Sequence, residues 1–139
     1  MLRISNTLYL QLMIPITEIL IRLLGIQRTM KALCGSTPLM ASNDNDNIKQ
    51  AKRALQSLIV VVERSYWKGN CLSRSIALHG LLQKKGISST LCIGVRTRPK
   101  FKAHAWVEHK EIPLNAGPKV RQNYHMIENL QLIQRATFS

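Results

Sequence analysis

Acidic residues are scarce in this sequence: seven Asp and Glu stand against twenty Lys and Arg among 139 residues, for a net charge of +13. The basic excess is spread along the chain, and 45% of the residues are hydrophobic. This composition excludes wholesale disorder and predicts one compact domain. The charge favours an anionic partner, which could be nucleic acid, a membrane surface or an acidic peptide.

Cysteines are also few. Cys34, Cys71 and Cys92 show no C-x-x-C spacing, which argues against a disulfide framework and against a zinc ribbon. Intracellular chains usually keep such isolated thiols reduced, so we expect a cytoplasmic protein.

The N-terminal part has no uninterrupted hydrophobic run. The apolar stretch from Leu8 to Leu24 contains Glu18 and Arg22 near its middle and end, and charges there are costly in a membrane-spanning helix. No small-residue cleavage site follows. The stretch therefore predicts a helix that packs on the domain, with Pro15 as the candidate site of a kink. The basic residues after it also allow peripheral contact with a membrane.

Three regions of a single domain, residues 1–139, follow from the pattern. They are apolar N-terminal helices (1–33), an exposed linker rich in Gly, Pro, Ser, Asn and Asp (34–47), and a core (48–139). Asp46 or Asn47 is expected to cap the first helix of the core. Apolar residues recur along that helix at helical spacing: Ile48, Ala51, Leu55, Leu58, Ile59 and Val62.

The next helix is the most informative one. Asn70 is a good N-cap, and Gly86 marks the end of the run. Cys71 therefore falls in the first helical turn, where unpaired N–H groups and the positive end of the helix dipole are expected to lower a thiol pKa.

Beyond Gly86 the pattern alternates with period two. Strands are predicted over residues 90–95, 103–109 and 112–115, with a helical tail over 124–133. Helices followed by a small antiparallel sheet predict the α+β class.

A cysteine nucleophile needs a base, and four histidines are available. His79 lies about 12 Å along the helix axis from Cys71, too far for direct proton exchange. His104 and His109 share a strand but face opposite sides of it. Periodicity alone does not choose between them.

Three segments together resemble a known family: G-N-C-L-S-R-S-I-A-L-H-G-L-L-Q-K-K-G-I (69–87), I-G-V-R (93–96) and A-H-A-W-V-E (103–108). They are similar to the transglutaminase-like cysteine proteases that remove the leader from lasso-peptide precursors. The resemblance implies a transglutaminase-like, papain-like core with the nucleophile at a helix N-terminus. It makes Cys71 the nucleophile and His104 the base.

The third catalytic position departs from the family pattern. The family places an aspartate where this chain reads Leu114-Asn115-Ala116-Gly117. Asn115 could orient the imidazole, as an asparagine does in papain-like proteases. The alternative is a Cys71–His104 dyad with no third member.

Further residues of the three segments have weaker implications. Arg74 and Ser75 match the family's R-S pair without a chemical reason to call them catalytic. Trp106 shares the strand face of His104 and either lines the site or belongs to the core. The basic loop 96–102 either steers an acidic peptide or is a solvated connection.

The resemblance implies a cysteine endopeptidase that acts on a ribosomally made precursor peptide, without metal or organic cofactor. It also implies two partners, a small leader-binding protein and an ATP-dependent lasso cyclase. The alternative is a non-catalytic protein that presents the precursor in the same maturation complex. Nucleic acid is not expected, because no helix-turn-helix, zinc finger or aromatic sheet platform is present.

Overall fold

The structure is a computed structural model that describes residues 5–33, 44–67 and 69–127. It contains an N-terminal helical layer and an antiparallel sheet, so the predicted α+β class is confirmed. The elements in chain order are α1 (Asn6–Leu24), α2 (Ile26–Leu33), α3 (Asp44–Arg64), α4 (Cys71–Lys84), β1 (Thr90–Arg96), β2 (Lys102–His109), β3 (Ile112–Pro113), α5 (Val120–Asn123) and β4 (His125–Met126).

The sheet has the strand order β3-β2-β1-β4. β1 and β2 pair along their whole length, with Gly94 opposite His104 and Ile93 opposite Ala105. β3 pairs only with the far end of β2, at Glu108 and His109. Helix α4 packs beside the other end of β2, where Ser75 Oγ donates a hydrogen bond to the carbonyl of Ala105 at 3.0 Å. A helix thus covers a sheet edge whose backbone groups would otherwise be open to pairing with another chain.

Helix α4 lies between the other helices and the sheet. Its residues Ile76, Leu78 and Leu82 are fully buried, and it contacts α1, α3 and β2. Ala105 and Val107 of β2 belong to the clusters on the α4 side. The opposite side of the sheet has a smaller core, built from Cys92, Trp106 and Val120 with Tyr124 packed against it.

Helix α1 is apolar on both faces. It buries Tyr9, Leu10, Ile14 and Thr17, while several leucines and isoleucines on its other face are exposed. Its length and its mean hydropathy of 1.5 would suffice to cross a membrane, a property that core helices of globular proteins share. Pro15 lies inside the helix.

Helix α3 differs from the sequence-based expectation at its start and along part of its buried face. It begins at Asp44, so Asp46 and Asn47 lie in its first turn instead of capping it. Its buried residues are Ala51, Ala54, Leu58 and Val61. Ala51 and Leu58 were predicted, whereas Ala54 and Val61 each lie one position before a predicted residue.

The tail is the clearest correction. His125 and Met126 form strand β4 against Gly94 and Val95, where a helix was predicted, because backbone pairing to the edge of β1 outweighs the weak helical pattern. Residues 128–133 of that predicted helix, most of the predicted linker and Cys34 lie outside the described residues.

Candidate active site

The start of α4 is fixed by reciprocal hydrogen bonds. Asn70 Oδ1 accepts from the backbone N–H of Ser73 at 2.9 Å, and Ser73 Oγ accepts from the N–H of Asn70 at 3.0 Å. Gly69 precedes this cap with φ +69°, and a Cβ there would lie 2.5 Å from both Ile14 and Ser73. Only glycine fits this turn. Cys71 thereby becomes the first helical residue, as predicted.

Helix α1 holds this turn from the other side. The Glu18 carboxylate accepts a hydrogen bond from Trp67 Nε1 at 2.6 Å and another from Ser73 Oγ at 3.2 Å. Sequence reasoning missed Glu18, because it lies 55 residues from Ser73 and no local pattern connects the two. Glu18 joins the N-terminal helix to the segment that presents Cys71.

The three residues named from the sequence line one cavity. Cys71, His104 and Asn115 form part of the wall of a cavity of about 480 Å³. The rest of the wall is largely apolar, with charged groups from one residue each of α3 and α4. It comprises Leu55, Leu58, Ile59, Val62, Glu63, Arg74, Ala105, Leu114 and Ala116. Four apolar residues of α3 thus line the same cavity as Cys71.

The electrostatics of the thiol differ from the prediction. Burial raises the pKa of Cys71 above its ordinary value. Hydrogen bonding to the backbone of Ala105 and Leu72 and the charge of Arg74 lower the pKa, but by less than burial raises it. The helix N-terminus was expected to produce a thiolate, and desolvation of the sulfur outweighs it. The resting thiol is therefore protonated at neutral pH.

His104 is held by ring contacts. Its imidazole stacks on Trp106 with centroids 5.8 Å apart and lies 5.3 Å from the ring of Tyr124. Within the ranges that the structure describes, neither ring nitrogen has a hydrogen-bond partner. Burial first, and then the charge of Lys102, lower the pKa of His104. A neutral imidazole and a neutral thiol in the wall of one cavity are the groups that general-base catalysis requires.

The surroundings of His104 and His109 in the structure distinguish the two histidines. By strand alternation His109 points to the α4 side, together with Ala105 and Val107. Its Nδ1 is bonded to the carbonyl of Ser88 at 2.6 Å, and it does not line the cavity. His104 lies on the opposite face of β2 and lines the cavity together with Ala105.

Asn115 lies at the cavity wall, but its amide is bonded elsewhere. Its Oδ1 accepts from the N–H of Val107 at 2.8 Å, and its Nδ2 donates to Ser75 Oγ at 2.9 Å. The first bond fixes the amide orientation, since an N–H needs an acceptor. In this structure Asn115 therefore joins β2 to α4 and has no hydrogen bond to His104, contrary to the orienting contact expected from the sequence.

Comparisons with known proteins agree with this geometry. The sequence pattern of the transglutaminase-like superfamily matches residues 12–129. The chain belongs to the transglutaminase-like superfamily. It is also 32% identical over 79 residues to the microcin J25-processing protein McjB of Escherichia coli. That match covers 57% of this chain and 38% of McjB, so the aligned part is well under half of that relative. No solved structure is a significant match.

These comparisons support the resemblance to lasso-peptide leader peptidases drawn from the three sequence segments, and they confirm the transglutaminase-like core. The superfamily pattern extends over α1, most of which lies inside the matched range. The contacts of Glu18 with Trp67 and Ser73 are therefore internal to the transglutaminase-like domain.

One acidic residue near the transglutaminase-like site is already paired. Glu108 is buried and accepts from Trp106 Nε1 at 2.9 Å and from Arg121 Nε at 2.7 Å. The hydrogen bonds from Arg121 hold the pKa of Glu108 below its usual range. The Glu108 carboxylate thus binds Trp106, on which His104 stacks, and Arg121. It has no hydrogen bond to His104 and does not take the place of a third catalytic group.

Among the described residues, the thiol of Cys92 and the imidazoles other than that of His104 do not line the cavity. Burial, followed by the charge of Glu108, raises the pKa of Cys92 to about 11. His79 lies in the second half of α4, and its Nδ1 is 2.7 Å from Ser89 Oγ in the segment before β1. Across residues 5–33, 44–67 and 69–127, no three His, Cys, Asp or Glu side chains form a group that could hold a metal ion.

Proposed function

We propose that this chain is a cysteine endopeptidase that removes the leader from a ribosomally made lasso-peptide precursor. The observation that carries the proposal is the shared cavity, whose wall contains both Cys71 at the start of α4 and His104 of β2. The superfamily and the likeness to a microcin-processing protein support it.

The first half of the proposed reaction is acyl transfer. His104, neutral at rest, takes the proton of the Cys71 thiol as Sγ attacks the carbonyl carbon of the scissile bond. The backbone N–H groups of Ala105 and Leu72, which favour the thiolate, are placed to stabilise negative charge near the sulfur. The C–N bond then breaks, and the imidazolium gives its proton to the departing amine.

The second half releases the leader. Water, deprotonated by His104, attacks the thioester carbonyl, and the C–S bond breaks. The leader leaves with a new carboxylate, and Sγ recovers its proton from the imidazolium. In this scheme Asn115 acts as a positioning residue, since its bonds to Val107 and Ser75 keep β2 and α4 in register.

We also propose the partners that the resemblance implies. These are the precursor peptide, a leader-binding protein and an ATP-dependent cyclase that closes the ring after cleavage, all in the cytoplasm. The net charge of +13 is suited to an acidic peptide.

The test is cleavage of the precursor, followed by mass spectrometry, in the presence of the leader-binding protein. We expect Cys71→Ala to abolish cleavage while precursor binding and the folded state are retained. Cys92→Ala is the matched control, because that thiol is also buried but has a pKa of about 11 and lies off the cavity. Normal cleavage by Cys71→Ala would refute the proposal.

A second candidate function is a non-catalytic protein that presents the precursor. The protonated thiol and the absence of a carboxylate bonded to His104 among the described residues favour it. This candidate predicts that the unaltered protein and Cys71→Ala bind the precursor equally and that neither cleaves it. It also predicts that the cyclase closes the ring when either protein is present and fails to do so when both are absent.

A further inference from the structure

A second cavity lies on the other side of His104. It is open, has a volume of about 340 Å³, and its wall includes Lys119, Asn123 and Tyr124. It shares His104 and Ala116 with the first cavity. Cys71 lines only the first. The imidazole therefore stands between the two cavities, with the nucleophile on one side of it.

The proposed chemistry gives these two sides different roles. The scissile carbonyl carbon must be at the sulfur of Cys71, whereas the nitrogen that leaves must receive its proton from His104. The chain before the bond is thus placed beside Cys71, and the chain after the bond continues past the imidazole. Geometry then directs that second segment toward the cavity beyond His104.

We infer that the cavity between the Ala116–Val120 segment and Tyr124 binds the residues that follow the scissile bond. This inference rests on the proposed function and adds to it a site for the released segment. The cavity beside Cys71, with its apolar wall from α3, then receives the residues that precede the bond.

The lining of the second cavity indicates the class of residues it takes. Asn123 offers an amide, and Lys119 offers a cation at an exposed position. The ring of Tyr124 forms a wall that His104 and Arg96 hold in place, at 5.3 Å and 5.4 Å from the ring centroid. These groups suit a short segment of small or polar residues, and the cation favours an acidic side chain.

The experiment uses two substrates with the full chain. One is a peptide that spans the cleavage junction, and the other is the leader segment as a methyl ester, whose leaving group is too small to occupy the second cavity. We expect Asn123→Phe to raise KM about tenfold for the spanning peptide, equivalent to roughly 1.4 kcal/mol, and to leave ester hydrolysis unchanged. Gln122→Phe is the matched control, because Gln122 is an exposed neighbour that does not line the cavity.

A charge variant tests the same site independently. Lys119→Glu should raise the KM of the spanning peptide. The increase should be larger when an acidic residue follows the junction than when a neutral residue does. Equal effects of Asn123→Phe on both substrates, or no effect on either, would overturn the assignment. If the unaltered protein cleaves neither substrate, the proposed function itself fails and this assignment fails with it.

Discussion

Asn115 Nδ2 and Ser75 Oγ are hydrogen-bonded at 2.9 Å, and Ser75 passes the connection on to the carbonyl of Ala105. Ala105 adjoins His104 in the strand, and its backbone also hydrogen-bonds to the Cys71 thiol. Asn115, at the position where the family resemblance leads one to expect an acid, thus joins the helix of Cys71 to the strand of His104.

The first prediction concerns this connection. Asn115→Ala leaves the N–H of Val107 without its acceptor and should destabilise the fold by about 2 kcal/mol, with a fall in kcat. Ser75→Ala, which breaks the connection from the helix side, should lower kcat similarly. Urea denaturation and precursor cleavage measure the two effects.

Asn115→Asp helps to distinguish two roles of Asn115, which are to hold β2 against α4 and to orient the His104 imidazole. A carboxylate can still accept from the N–H of Val107, but it cannot donate to Ser75 Oγ, whose single proton then serves either the carboxylate or the carbonyl of Ala105. We therefore expect the fold to be retained and the connection between α4 and β2 to be weakened. If Ser75→Ala has full activity while Asn115→Ala is inactive at unchanged stability, Asn115 acts on the imidazole directly and the positioning role is wrong.

The second prediction concerns pH. The charge of Lys102 contributes to the lowered pKa of His104, and catalysis in our scheme needs the neutral imidazole. Lys102→Gln should raise that pKa toward its ordinary value, so more of the imidazole is protonated in mild acid. The acid limb of the kcat/KM profile, followed from about pH 5 to 8, should move to higher pH.

Lys100→Gln is the control for this shift. Lys100 carries the same charge two residues earlier, at an exposed position in the loop before β2, but is not among the groups that alter the His104 pKa. A shift of the acid limb to lower pH in Lys102→Gln would contradict the assignment of His104 as the base.

The third prediction concerns Gly94, which lies opposite His104 in the sheet and close to Tyr124. A Cβ at Gly94 would lie 2.8 Å from Tyr124 Cβ and 3.2 Å from the carbonyl of His125. Gly94→Ala should therefore push β4 and Tyr124 outward and cost roughly 1 to 3 kcal/mol. Gly117→Ala is the control, because its Cβ would meet nothing within 4 Å. Equal denaturation midpoints for the two variants would show that β4 is not packed as described.

The fourth prediction concerns Glu18. Glu18→Ala removes the acceptor of Trp67 Nε1 and Ser73 Oγ, and we expect a loss of about 1 kcal/mol together with a lower kcat and an unchanged KM. Trp67 is 46% exposed whereas Trp106 is fully buried. Quenching of tryptophan fluorescence by iodide should therefore increase selectively in this variant.

Glu18→Gln should recover part of the activity, because its carbonyl can still accept from Trp67. Ile19→Ala, a change at the exposed position next to Glu18 on α1, is the control and should alter neither kcat nor quenching. A KM effect alone, with unchanged kcat, would mean that Glu18 touches substrate rather than positioning the start of α4.

Local sequence determined the elements that carry the site. Asn70 and Gly86 delimit α4 because a capping side chain and a residue at positive φ act within a few residues of themselves. Alternation in β2 separated His104 from His109, and the motif segments identified Cys71 and His104. These signals need no knowledge of the rest of the chain.

Only the tertiary structure decided how those residues behave. Desolvation of Cys71, the bonds of Asn115 to Val107 and Ser75, and the support of the α4 start by Glu18 all depend on residues distant in sequence. Chain segment 125–126 became a strand because the edge of β1 was available to it. Burial and long-range hydrogen bonding are properties of the packed chain, so the protonation state of the Cys71 thiol and the contacts of Asn115 and Glu18 follow from packing and not from any local pattern.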